Sequence, residues 1–108
     1  MKFGLIPVNI GVQPEQMIGL AQLAEGSGFE SVWTFEHVIV PVDYQSKYPY
    51  NDSGKMGGPP ETIFVDPLLA LTAIAASTKT LRLGTGVNIL SQVNPLYMAK
   101  QAASLDYL

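Results

Sequence analysis

Three times along this chain an apolar, strand-like segment gives way to a polar turn and then to a helix that opens on proline, at Gln13-Pro14, Asp66-Pro67 and Asn94-Pro95. Proline lacks the N–H that a helix interior needs, but at the first turn that N–H has no intrahelical partner and the fixed φ suits the helix. Each X-Pro pair is therefore a start signal. Strands alternating with helices in this way imply a parallel sheet with right-handed crossovers, an α/β architecture in which ligands gather at the C-terminal ends of the strands.

The first strand is expected over Lys2 to Val8, ended by Pro7, Asn9 and Gly11. Met17, Ile18, Leu20, Ala21, Leu23 and Ala24 then recur at helical spacing until Gly26 and Gly28. Glu30 to Phe35, rich in β-branched and aromatic residues, reads as the second strand. After a long irregular segment Pro67 begins a helix that is apolar nearly all round, as expected of one packed between neighbours. Leu81 to Val87 is the third strand. A short loop follows, then a third helix with Leu96, Met98, Ala99, Ala102, Ala103 and Leu105 on its faces.

At 108 residues the chain holds one domain at most, and 47% hydrophobic residues require a large buried fraction. Only 14% are charged, against roughly 25% in an average soluble protein. Three parallel strands need cover on both faces that three helices barely supply. The chain is thus expected to be a single partial domain over residues 1–108, completed by a longer fold or by assembly into a homo-oligomer. A net charge of −3 with no Lys or Arg run gives no footprint for nucleic acid. No apolar run reaches the roughly 18 residues of a membrane span, and no leader is evident. The absence of cysteine removes thiolate and zinc-cysteine chemistry and fits a cytoplasmic setting.

The segment from His37 to Ile63 exceeds the roughly 12 to 15 residues beyond which a connection is usually functional or disordered. Its Tyr44, Tyr48 and Tyr50 among prolines and glycines suit a loop that covers a substrate; a flexible insertion is the plainer alternative. His37, the chain's single histidine, follows Glu36 at the end of the second strand, where an imidazole can exchange a proton with a ligand. A hydrogen-bonded structural histidine is the plainer alternative there. No second His and no Cys stand by for a metal. Gly84-Thr85-Gly86 fails the dinucleotide fingerprint, because Ile89 stands where the third glycine belongs. Gly86 instead permits close approach of a flat ligand, a strained peptide at Gly86-Val87 or Val87-Asn88, or simply tight packing.

Taken together, Lys2-Phe3-Gly4-Leu5, the join from Ala24 to Trp33, Glu36-His37, Asp66-Pro67, Leu83-Gly84-Thr85-Gly86-Val87 with Asn94-Pro95, and the tail from Ala99 to Asp106 resemble the luciferase-like monooxygenases. The resemblance spans essentially the whole chain. It implies the first three units of a TIM (β/α)8 barrel that binds a flavin-type cofactor, FMN or F420, at its C-terminal mouth and acts on a small organic substrate. On this resemblance His37 is the catalytic candidate. Glu36, Gly86, Val87 and Asn88 are the cofactor-binding candidates, with a non-prolyl cis peptide at Gly86-Val87, and Tyr44, Tyr48 and Tyr50 form the substrate loop. Where the family usually carries Asp before the histidine, this chain carries Glu36.

A complete barrel takes roughly 250 residues, so three of eight units are present. That leaves a second expectation from a different class, a non-catalytic luciferase-like chain that buries its open sheet edges against copies of itself. A barrel hydrolase or lyase would need paired carboxylates or a metal cluster at strand ends, and Glu36 alone qualifies.

Overall fold

A computed structural model describes all of residues 1–108. Three strands, β1 (Gly4–Leu5), β2 (Ser31–Thr34) and β3 (Arg82–Thr85), form one parallel sheet in the order β1-β2-β3. The helices α1 (Pro14–Gly26), α2 (Pro67–Ala75) and α3 (Pro95–Tyr107) follow the strands in turn. All three begin at the expected prolines. Asp66 and Asn94 each turn a side-chain oxygen onto two N–H groups of the first turn, those of Leu68 and Leu69 and of Leu96 and Tyr97, satisfying donors that the helix itself cannot. Gln16 does this in reverse for α1, its side-chain oxygen accepting the Gln13 N–H at 3.0 Å.

Each strand is shorter than its apolar run. In β1 the reason is Pro7, which has no N–H to give the ladder, so pairing lapses after Leu5 and resumes only where Val8 N–H donates to Trp33 O at 3.2 Å. Arg82 N–H to Glu30 O and Gly86 N–H to Thr34 O extend the β2–β3 pairing just past the formal strand ends. A single turn of 3₁₀ helix, Leu90–Gln92, occupies what the sequence suggested was a simple loop.

Gly28, at φ +83°, closes α1: its N–H reaches Glu25 O and that of Phe29 reaches Ala24 O, the paired bonds of a Schellman motif. The carboxylate of Glu25 then accepts N–H bonds from Lys79, Thr80 and Leu81, tying the end of α1 to the start of β3.

The core lies on one face of the sheet, where Val8 and Val32 meet Met17, Ala21 and Ala24 of α1 and Ala70 and Ile74 of α2. The alanines let helix and sheet approach closely. Helix α2 packs between α1 and α3, as its apolar character predicted, although Leu69 faces solvent. Helix α3 rests on α2 with no fully buried residue.

On the opposite face Trp33 lies across its neighbours. A Cβ added at Gly4 or Gly84 would collide with the Trp33 indole, so the two glycines are the room in which that ring lies. Its Nε1–H donates to Ser31 Oγ at 3.0 Å. Ile6, which alternation puts on the same face as Gly4, and Trp33 both remain exposed there.

Candidate functional site

Because the strands are parallel, their C-terminal ends bring Asn9, Phe35-Glu36-His37 and Gly86-Val87-Asn88 to one end of the sheet. Asn9 is the pin of this end and is fully buried. Its Nδ2 donates to Phe35 O and to Val65 O, both at 2.7 Å, while its Oδ1 accepts Phe35 N–H at 3.0 Å. The carboxamide thus acts as a surrogate peptide unit where the β1–β2 ladder has run out, and it ties in the returning loop as well. That return is reinforced by Val65 N–H to Asn9 O, Gly11 N–H to Ile63 O and an antiparallel bridge between Ile10 and Phe64.

His37 follows directly from this anchorage. Its ring meets Phe64 edge to face, with centroids 4.8 Å apart, and it is half-buried. Glu36 is buried and turned the other way, its Oε2 accepting Ile89 N–H at 2.5 Å. The carboxylate thereby fastens the end of β2 to the turn after β3. Next to Ile89, Asn88 carries a buried Oδ1 with no hydrogen-bond partner in the protein, which is costly unless a donor is supplied. Thr34 Oγ1 is a second such atom.

The Gly86-Val87 peptide is trans, like every other in the chain, which corrects the expected cis bond. In this form the N–H groups of both residues converge on Thr34 O, at 2.8 and 3.4 Å. The open side of Gly86 is filled by the ring of Phe35, which a Cβ at that position would strike. Close approach to Gly86 is therefore made by the chain's own aromatic residue. Val87 is largely exposed beside it.

The segment after His37 folds back as successive turns held by its own side chains. Tyr44 accepts Met56 N–H at its hydroxyl (2.6 Å), and Lys55 donates to Tyr44 O (2.9 Å) with its ammonium 4.2 Å from the centre of the Tyr44 ring. Tyr48 and Tyr50 pack edge to face at 5.6 Å. His37 and Tyr44 help to line a cavity of about 290 Å³; His37, Phe35, Tyr48 and Tyr50 help to line an adjoining one of about 340 Å³. The structure therefore brings His37 and the three tyrosines together around one cleft. Glu36, Gly86, Val87 and Asn88 line neither cavity and lie on the β3 side of Phe35.

Asn9 was not singled out by the sequence. An Asn after an apolar strand reads as a strand terminator, and only the pairing of β1 with β2 shows that its carboxamide continues the ladder. No group of three or more His, Cys, Asp or Glu side chains is placed to hold a metal ion. No helix is long and apolar enough to cross a membrane.

The comparison with known proteins agrees with this fold. An uncharacterised protein of Mycobacterium tuberculosis is 31% identical over 110 residues, covering all of this chain and 38% of its own length. The oxygenase component of a flavin-dependent trigonelline monooxygenase from Acinetobacter baylyi is 29% identical over 94 residues, or 87% of this chain and 21% of that protein. The crystal structure of a monooxygenase from Streptomyces bottropensis superimposes with a TM-score of 0.65 at 31% identity, over 99% of this chain and 30% of that one. The chain spans little more than a third of the length of the mycobacterial relatives it matches. The sequence pattern of the luciferase-like monooxygenases matches residues 4–108, and the chain belongs to that family.

Proposed function

We propose that these residues form the first three β/α units of a barrel oxidoreductase that binds FMN or F420 at its C-terminal mouth and acts on a small organic substrate. The observation that carries this reading is the unpartnered, buried Oδ1 of Asn88 at the end of β3. A buried amide oxygen without a donor fits the ring N–H that both cofactors present. Gly86 offers no free face of its own, since Phe35 rests on it, so Phe35 and the backbone of Val87 would be the groups that support the ring there. When bound, the cofactor supplies the hydride or oxygen chemistry, and the protein supplies orientation and electrostatics.

Each remaining residue then has a stated task. Glu36 holds the Asn88-Ile89 turn in place through the Ile89 N–H. His37, backed by Phe64, holds or moves a proton at a ring nitrogen on the substrate side. Tyr44, Tyr48 and Tyr50 wall the cleft with aromatic surface.

A fluorescence titration of the protein with FMN and, separately, with F420 tests the cofactor assignment. Saturable binding of one and not the other supports it, and Asn88→Ala should weaken that binding. Binding of neither retires it. For His37, the expected outcome of His37→Ala is loss of turnover with cofactor binding retained, and unchanged turnover removes the residue from the mechanism.

A second reading has its own observation. Ile6 and Trp33 lie exposed on the sheet face opposite the core, as in a non-catalytic luciferase-like chain that completes itself against copies of itself. A defined oligomer without affinity for either cofactor would favour it.

A further inference from the structure

The loop between β2 and α2 holds three adjoining cavities of about 290, 280 and 340 Å³, and Met56 lines all of them. Their walls include Lys47, Lys55 and His37 and not one carboxylate. That is a selective arrangement in a chain with nine acidic and six basic residues. Asp43 and Asp52 belong to the same loop yet stay out of the walls, and the Glu36 carboxylate is committed to Ile89.

The two lysines are not equivalent. Lys55 is spent within the loop, on the Tyr44 carbonyl and ring. Lys47 lays its aliphatic stem near Gly54 and takes part in no ion pair, since both salt bridges of the chain go to Glu30. Around it the cleft is aromatic and soft, with Tyr44, Tyr48 and Met56. Flat rings pack well against such walls. The cavity that Lys47 lines, about 290 Å³, is at the small end of ligand clefts, which suits a single ring.

We infer that this cleft takes a monocyclic aromatic carboxylate, with Lys47 reading the anionic group and the tyrosines and Met56 receiving the ring. The inference rests on the placing of substrate beside His37 proposed above and names the substrate's chemical class.

The four methionines make the test internal. Met56 reports the cleft, Met17 sits in the core, Met98 lines a separate groove between α2 and α3, and Met1 is fully exposed. Protein labelled with ¹³C at the methionine methyls is titrated with benzoate, with the neutral isostere benzamide, and with inorganic phosphate. Benzoate is expected to shift the Met56 methyl saturably and leave those of Met17 and Met98 in place. Benzamide and phosphate should bind more weakly, and Lys47→Gln should weaken benzoate on the order of tenfold, the worth of one charge-assisted hydrogen bond.

Equal binding of benzoate and benzamide, or an unchanged benzoate affinity in Lys47→Gln, overturns the role of Lys47. A response to phosphate as strong as that to benzoate overturns the aromatic class and makes the site a phosphate subsite. A silent Met56 methyl in protein that binds FMN or F420 ends this inference and leaves the oxidoreductase reading standing. The converse result, benzoate bound without either cofactor, does the opposite.

Discussion

Asn9 shows how one side chain can decide the geometry of a site to which it contributes no reacting atom. Its three hydrogen bonds hold Phe35 and Val65, the neighbours of Glu36 and Phe64, so His37 inherits its place from a carboxamide at the end of the adjacent strand. Asn9→Asp keeps the shape but removes both donors and sets a carboxylate against two carbonyl oxygens. Leaving such buried groups unmatched costs about 1–3 kcal/mol, to be read as a lowered denaturant midpoint. The NMR cross-peaks between the rings of His37 and Phe64 should vanish in the folded variant. If they persist at full strength, the pin does not set the histidine. The sequence displayed His37 and Glu36 openly because they end an apolar strand; it concealed Asn9, whose partners lie 26 and 56 positions away. Nor could it show that Gly86 faces Phe35, a contact that exists only once β2 and β3 are in register.

Among the elements, helix starts were legible and strand ends were not. A helix start is local chemistry: Asp66 and Asn94 meet N–H groups two and three residues on. Asp66→Ala should therefore cost about 1 kcal/mol, measurable as a fall in thermal midpoint. Strand ends depend on partners, which is why the apolar runs overshoot β1, β2 and β3. The α1–β3 clasp adds a pH dependence. The N–H of Thr80, then that of Lys79, with help from the Thr80 hydroxyl and Leu81 N–H, holds the Glu25 carboxyl below its ordinary value of 4.5. A carboxylate whose pKa is lowered by folding contributes stability that is complete above its unfolded value and fades as pH falls through the folded one. The thermal midpoint should thus decline as pH drops below about 4.5, and Glu25→Gln should flatten that part of the profile. A wild-type slope retained in the variant would assign it to other acids, Glu30 with its Lys2 partner first among them.

For the molecule as a whole, the decisive asymmetry lies between the two faces of the sheet. One carries the core, in which Ile74 is fully buried, so Ile74→Ala should cost about 2–5 kcal/mol. The other bears Trp33, 37% exposed, with Ile6 more exposed still. A surface of this kind seeks cover, whether from further strands of a barrel or from another copy. Sedimentation over a range of concentrations, followed through the emission of the single tryptophan, separates the two: a blue shift that grows with concentration marks self-association, and a constant spectrum excludes it at that face.

The indole on that face also links three strands in heredity. Gly4, Trp33 and Gly84 divide one volume among β1, β2 and β3, so none of the three positions can drift alone. A glycine that acquires a side chain evicts the ring, whereas a smaller residue at 33 releases both glycines at once. Among descendants of this chain the three sites should change as a set, each replacement forbidden or permitted by the other two.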